Sequence, residues 1–416
     1  MNNNTVSVEI FVDVDKCKNI SDIEKQIMEK TKAAAKELLV KIFEAKEAKI
    51  LKDKRLIKKT KVLRYLFTIF GPVRFYRYKV KDSFGKFFYA LDRSIGLEAN
   101  SSFSPKLADR AVYLSTMYPY RQAKDLLCHE TDSSLDHRSL WRLIQKKGVK
   151  LRQQDIDEYE SLYTHSRPVK STEQAYESLV LEVDGTGISS KQGKGKWMEA
   201  KLAIIYTGKQ LCSKNSKVSR YELTNKKIFA SVDTWDNFGK MTSYSAQRHY
   251  NIKKAENVLL LSDGDPLIKR FHTDYMPGSI HQCDHYHLKK KLRQVYSQYP
   301  NVLEKFLSLI QKRKHEKLPY LIKMTKVNGL ISEADEEMLT SYINSNMDSI
   351  WAVDRLRKKM PKELLRVGSG AVEKNVDIAI ARRFKLRGMS WSKEGAANLL
   401  ALRLLYLNGK DLSLAA

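Results

Sequence analysis

Two aspartates carry the strongest chemical signal in this chain. Asp184 and Asp263 each close an apolar, strand-like run and each precede a glycine; no other Asp-Gly dipeptide occurs. A carboxylate at the end of a buried strand stands at the rim of a sheet, where it can face solvent and a metal ion. The adjacent glycine lets backbone or substrate approach closely. Asp-Gly is equally a signal for a tight type I′ hairpin. That structural reading competes most at Asp184, where Ile188 and its successors would supply a return strand. It competes less at Asp263, which is followed by Pro266 and a helical pattern.

Holding two divalent cations with open positions for DNA requires a third carboxylate, since Mg2+ prefers a few carboxylate oxygens together with water and phosphate oxygens. Two such ions about 4 Å apart stabilise the attacking and leaving oxygens of an in-line phosphoryl displacement. Glu373 is the best candidate, close behind Gly368-Ser369-Gly370 at the start of a helix that Ser369 would cap. The helix dipole favours a carboxylate there, which is also why first-turn glutamates are often only stabilising. Glu182, Asp233, Asp236 and Asp265 compete for the role, and Glu182 reads as a strand side chain pointing away.

A second cluster holds His272, His281, Cys283, His285 and His287. On a strand the last four would share one face, which makes a zinc site conceivable, but the spacing matches no closed zinc module. The alternative is a structural Asp284-x-x-His287 turn followed by a basic helix, whose Lys289 and Lys290 would meet phosphate. Further on, Arg382, Arg383, Lys385 and Arg387 lead to Trp391, a mixture suited to phosphate clamping and base stacking. The competing reading is a solvated helix end with Trp391 packed in the core.

The elements that must position these groups follow from periodicity. Residues 1–60 read as a basic N-terminal region with one long helix, and 61–100 as a small β-rich module studded with Arg74, Arg77, Lys79 and Lys81. Residues 101–153 read as three helices. Ser104 caps the first with Pro105 at its first position, and the last carries Arg138, Arg142 and Lys146 as in a helix-turn-helix. The polar stretch 154–176 reads as a linker and main boundary. Residues 177–296 alternate strands and helices, 297–362 are all helical, and 363–416 return to the core with the Glu373 helix.

Composition sets the class of partner. The 416 residues include 75 Lys and Arg against 48 Asp and Glu, a formal net charge of +27, and 42% are apolar. Such an excess favours a polyanion, because each neutralised phosphate releases counterions. No apolar run reaches the roughly 18–20 residues of a membrane span, and the first residues lack a secretory signal. Four scattered cysteines suit a reducing cytoplasm.

The ordered set of strand-Asp184-Gly, strand-Asp263-Gly, Asp284-x-x-His287, helical insertion and Gly-Ser-Gly-x-x-Glu373 resembles the RNase H-like DDE transposases. More narrowly it is similar to a bacterial insertion-sequence branch long catalogued as uncharacterised, distantly related to the Mutator-like group. The stretches TIFGPVRFYRYKVKD, SPKLADRAVYLSTMYPYRQAKDLL and RGMSWSKEGA resemble that branch too. The resemblance implies an α/β RNase H-like core with an all-helical insertion, preceded by a basic α+β DNA-binding region. It puts Asp184 on the first strand, Asp263 on the fourth and Glu373 on a returning helix, together holding two Mg2+ or Mn2+ ions. Asp284 and His287 match a signature that is structural or DNA-contacting. The activity implied is metal-dependent cleavage and strand transfer of double-stranded DNA, at terminal inverted repeats and target, by a homo-oligomer at the bacterial nucleoid. An inactive or domesticated DNA-binding protein, or a nuclease without transposition, is the alternative.

Overall fold

The computed structural model describes residues 5–192, 196–214, 219–385 and 388–410. The described residues divide into two compact units, one within residues 5–146 and the other within residues 147–410.

In the first unit α1 (Ile20–Ile50) starts at Asn19, whose side chain accepts the Asp22 amide. Leu39, Val40 and Phe43 of this helix pack against Leu66, Val73 and Phe75 of the antiparallel pair β1 (Ile57–Thr68) and β2 (Gly71–Lys81). β3 (Phe87–Tyr89) adds a short antiparallel edge. α2 (Ala90–Ser94) carries Asp92 into the interior, where it pairs with Arg64 at 3.0 Å and with Arg77. α3 (Pro105–Met117), α4 (Tyr120–Thr131) and α5 (His137–Tyr163) follow, with Leu107, Ala111, Ala123, Leu127 and Leu140 in their common core. Ser104 caps α3 through the Leu107 amide, with Pro105 in the first turn, as the sequence predicts.

α5 runs on into the second unit's share of the chain, so the polar stretch 154–176 is helical through Tyr163 and not a linker over its whole length. Tyr159 of this stretch is buried.

The second unit is built on one five-stranded sheet. Its strands in chain order are β4 (Ser178–Ser189), β5 (Trp197–Tyr206), then, after the separate ribbon β6 (Gly208–Lys214) and β7 (Ser219–Thr224), β8 (Lys227–Ser231). After α6 (Trp235–Tyr250) comes β9 (Asn257–Ser262), then α7 (Pro266–Tyr275), β10 (Ile280–Cys283) and α8 (His285–Tyr296). The spatial order is β8-β5-β4-β9-β10. β4, β5 and β8 run antiparallel to one another, whereas β9 lies parallel to β4 and β10 parallel to β9. The strands and helices alternate as the sequence of residues 177–296 predicts, with the β6–β7 ribbon as an addition to that pattern.

Alternation along β4 separates two faces. Leu179, Leu181 and Val183 join Ala203, Ile205, Val258 and Leu260 in a core closed by Phe238 and Ala246 of α6 and Ile268 and Phe271 of α7. The other face carries Val180, Glu182 and Asp184. The insertion comprises α9 (Pro300–Gln311), α10 (Leu318–Val327) and α11 (Glu333–Asn346). It forms its own core with Leu288, Leu292 and Tyr296 of α8, through Phe306, Ile310, Ile322, Leu339 and Ile343. The segment 347–356, read as a helix from the sequence, folds as two short 3-10 turns. The chain then returns as α12 (Gly370–Val376), a π turn, α13 (Arg382–Phe384) and α14 (Lys393–Leu407), with α12 lying on β4 and β5 and α14 on β8. Among the described residues no helix is long and apolar enough to cross a membrane.

Candidate active site

The site forms where β4 and β9 part. Their pairing ends at Glu182 with Leu261, so Asp184 stands just beyond the last shared rung. Asp184 is not a strand terminus or a turn residue: β4 continues to Ser189, with Asp184 opposite Leu202 and Gly185 opposite Lys201 on β5. That rules out the hairpin reading there. A Cβ at Gly185 would fall 2.6 Å from the Glu199 carboxylate, the far end of a side chain that would have to swing aside.

Asp263 follows the last residue of β9. Its side chain accepts the Asp265 amide at 3.0 Å, its carbonyl accepts the Tyr342 hydroxyl at 2.6 Å, and Asp265 caps α7. The turn needs Gly264, at φ +82° with Asn346 against it. Glu373 lies in the first turn of α12, its Oε1 3.5 Å from His287 Nε2.

These four side chains form one electrostatic neighbourhood. Burial raises the Asp184 pKa to about 6; the Gly185 amide and His287 oppose the rise, while the carboxylates of Asp263 and Glu373 add to it. Among the described residues neither Asp184 nor Asp263 has a basic ion-pair partner. A buried carboxylate such as Asp184 fits a divalent cation, because the neighbouring acids make it harder to ionise until positive charge arrives. Among the described residues, however, no three His, Cys, Asp or Glu side chains are gathered closely enough to hold a metal as they stand. A cation would have to draw the three carboxylates closer together.

Two fully buried carboxylates hold the Glu373 helix. Glu182 accepts the Tyr206 hydroxyl at 2.7 Å and, through its other oxygen, the Val372 amide at 2.8 Å. Burial raises its pKa. It therefore lies on the same face of β4 as Asp184 and does not point away; sequence reasoning missed its role. Asp284, 1% exposed, accepts the Tyr286 amide at 2.6 Å and both the amide and hydroxyl of Ser369. Ser369 does not cap α12 with its side chain, because its hydroxyl is committed to Asp284; the first-turn amide of Val372 goes to Glu182 instead. Asp284 is thus buried in a structural clamp, whereas His287 stays partly open beside Glu373.

The histidine cluster dissolves into separate packing roles. His281 lies between the Ser262 and Ser349 hydroxyls, with burial lowering its pKa to about 4. His285 bonds the Ile350 carbonyl, His272 the Ser279 carbonyl, and buried Cys283 faces the Tyr342 hydroxyl. Both ring nitrogens of His281 and one each of His272 and His285 are engaged inside the fold, while His287 belongs to the carboxylate site.

Three expected DNA contacts are buried. Arg77 is 8% exposed, paired to Asp92 and stacked 3.6 Å over Tyr89. Arg383 is 1% exposed against the Trp391 ring, and Trp391 bonds the Phe384 carbonyl while its backbone pairs with β4 beside Ser190. Arg382 is exposed but bonded to Asp377, and Lys146 is exposed but paired with Glu98. Arg74, Arg138, Arg142 and Lys290 are exposed and Lys289 half-buried. Arg387 lies outside the described residues.

Residues 14–415 match the family described as "Uncharacterised protein family (UPF0236)". The chain belongs to this family. Over 423 residues it is 24% identical to the UPF0236 protein in the vanSb 3′ region of Streptococcus gallolyticus, covering 97% of this chain and 87% of that protein. It is also 24% identical over 421 residues to UPF0236 protein TTE2489 of Caldanaerobacter subterraneus, covering 97% and 82%. A further UPF0236 relative from that bacterium, 23% identical over 409 residues and covering 95% and 79%, has a name that joins eleven locus designations.

Proposed function

We propose that this UPF0236 protein is a DNA transposase that cleaves and joins phosphodiesters at a site formed by Asp184, Asp263 and Glu373. The observation that carries the reading is the convergence of the three. They come from three distant parts of the chain, a strand, the turn after a strand and a returning helix, and share one electrostatic neighbourhood. The RNase H-like reading expects the first aspartate on the first core strand and the second at the fourth. β4 and β9 are the first and fourth strands of the five-stranded sheet in chain order, and the antiparallel-then-parallel order supports the same reading. The multiple locus designations under one relative's name are what an element that copies itself within a genome leaves behind.

Asp184, Asp263 and Glu373 would hold Mg2+ or Mn2+ with their carboxylate oxygens, supplying Lewis-acid stabilisation of the attacking and leaving oxygens. His287 keeps Glu373 beside the site, and Glu182 and Asp284 fix the helix that presents it. No side-chain nucleophile is assigned: water opens the phosphodiester at the element end, and the freed 3′-hydroxyl attacks target DNA, each step exchanging one P–O bond for another. Basic surface residues bind the duplex, and pairing two ends calls for an oligomer.

The test is metal-dependent cleavage of a plasmid carrying the gene's native flanks, comparing wild type with Asp263→Ala. Cuts at the flanks by wild type alone are expected. The open spacing of the carboxylates favours one rival, a DNA-binding protein without activity; binding of the flanks by both proteins with cutting by neither would establish it.

A further inference from the structure

The β1–β2 hairpin of the first unit has one face covered and one open. Leu66, Val73 and Phe75 lie under α1. On the opposite face the cross-strand pairs are Lys61 with Tyr78, Leu63 with Tyr76 and Tyr65 with Arg74. Leu63, Tyr65 and Tyr76 are 52%, 44% and 53% exposed. The far end of this face is covered, where Phe67 meets Phe103 of the helical core.

Cations hold these rings in place. Lys61 Nζ stands 5.0 Å from the Tyr76 ring centre and 6.0 Å from that of Tyr78, and the Arg74 guanidinium 5.5 Å from that of Tyr65. From Ile57 to Lys81 the chain has eight Lys and Arg and no Asp or Glu. Arg64 and Arg77 are spent inside on Asp92. The strands themselves therefore bring only cations to the open face, with flat apolar rings between the charges; the Glu47 carboxylate of α1, which acts on Lys61 and Lys58, is 6% exposed and accepts the Tyr78 amide.

A partner must offer negative charge and flat apolar surface at the same spacing. A second copy of this face would set like charge against like. A DNA duplex presents phosphates, but its base faces are hidden in the stack and only base edges are reachable from the grooves. Unpaired nucleotides present both, a phosphate backbone and bare base faces, and aromatic rings with basic neighbours are the surface that binds them. We propose that this face binds single-stranded DNA, with bases stacked on Tyr65 and Tyr76 and phosphates met by Lys61 and Arg74. The choice of DNA rests on the transposase reading, in which strands are opened at cut ends.

The test uses the full chain and fluorescence anisotropy with an oligothymidylate of about 20 nucleotides, longer than the roughly 4–16 that one small binding fold covers. A duplex and an oligouridylate of the same length are compared with it. The Tyr65→Ala/Tyr76→Ala variant should weaken oligothymidylate binding by roughly five- to hundredfold per ring and leave duplex binding nearly unchanged. The Tyr65→Phe/Tyr76→Phe variant, which keeps the rings, should bind as wild type does. Lys61→Gln/Arg74→Gln should instead flatten the salt dependence by roughly 0.7 for each phosphate no longer neutralised. Equal losses on duplex and single strand, no loss in the alanine variant, or preference for the oligouridylate would each overturn the proposal. A change of sedimentation from dimer to monomer with DNA binding intact would assign the face to a second copy and also overturn it. Flank cleavage by wild type separates the two readings: cutting with unaltered oligothymidylate binding sinks this inference alone. Ring-dependent binding without cutting sinks the transposase reading and leaves the surface assigned.

Discussion

The clamp between Asp284 and Ser369 can be tested by Asp284→Asn, which keeps the volume of the side chain and opens no cavity. The carboxylate accepts from Tyr286 on one oxygen and from the amide and hydroxyl of Ser369 on the other. An asparagine has one acceptor oxygen, so its NH2 must face either the Tyr286 amide or the Ser369 pair. One charge-assisted hydrogen bond is lost, worth roughly 1.5–3 kcal/mol, and one buried N–H is stranded at roughly 1–3 kcal/mol. The two overlap, and the expected net loss is about 2–4 kcal/mol, a fall in Tm of about 5–15 °C for a unit of this size. Because α8 and α12 are joined at this point, His287 and Glu373 should also lose their register. Mn2+ affinity, measured by calorimetry at a temperature where the variant is folded, should then drop about tenfold or more, in line with other residues that orient metal ligands. Ser369→Ala, which removes only the hydroxyl donor, should be milder, and the double variant should fall short of the sum because the pair shares one network. Wild-type melting with wild-type Mn2+ affinity in Asp284→Asn would refute the clamp. Lower melting with unchanged affinity would leave Asp284 as a packing residue only.

Three further outcomes follow from particular contacts. A folded-state pKa of about 6 for Asp184 lies above its usual carboxylate value, so the folded state holds the proton more tightly than the unfolded chain does. The resulting penalty, up to about 3 kcal/mol above pH 6, is relieved as pH falls from 6 towards 4. The difference in Tm between wild type and Asp184→Asn should therefore shrink over that window, and saturating Mn2+ should abolish it at pH 7; a pH-independent difference would contradict the assignment. Gly148→Ala places a Cβ 2.5 Å from the Asn398 side chain and 2.6 Å from its carbonyl, within the second unit. Overpacking should cost about 1–3 kcal/mol by denaturant titration despite the better helix propensity of alanine. Arg77→Met should destabilise the first unit by about 2 kcal/mol or more, since Asp92 keeps only Arg64. It should leave the salt dependence of DNA binding unchanged, whereas Arg74→Gln should do the reverse.

What the sequence revealed and concealed divides along the range of the interaction. Most of the core strands were legible because burial on both faces writes apolar runs, as in VLLLS, and strands of that kind need no distant partner to be recognised; β10, with His281 and Gln282 inside it, carries no such run. Asp184 and Asp263 stood out for the same reason, as charges at the margin of such runs. Arg77 and Arg74 are three residues apart in one basic strand and look alike in sequence. Strand alternation puts them on opposite faces, but only the fold shows that Arg77 is the one paired with Asp92 and Arg74 the one facing outward. Trp391 and Arg383 were similarly ambiguous, because an aromatic among arginines suits base stacking and core packing equally.

Glu182 is the extreme case. A glutamate two residues before a candidate metal ligand, in an apolar strand, offers no local pattern to say whether it serves the site or avoids it. Its partner amide is Val372, 190 residues further along. Leaving a carboxylate in that interior would be costly unless its oxygens were used, and both are: one takes Tyr206 from the neighbouring strand, the other the amide that an α12 cap would have taken. The burial that hides Glu182 from sequence reading is what makes it a rigid anchor. The only long-range cue is the gap it fills, since Ser369 at the start of α12 is spent on Asp284 and leaves a first-turn amide in need of an acceptor. Glu182 and Asp284 thus solve one problem from two sides, fixing a seven-residue helix that returns after the whole insertion and has to present Glu373 beside the sheet.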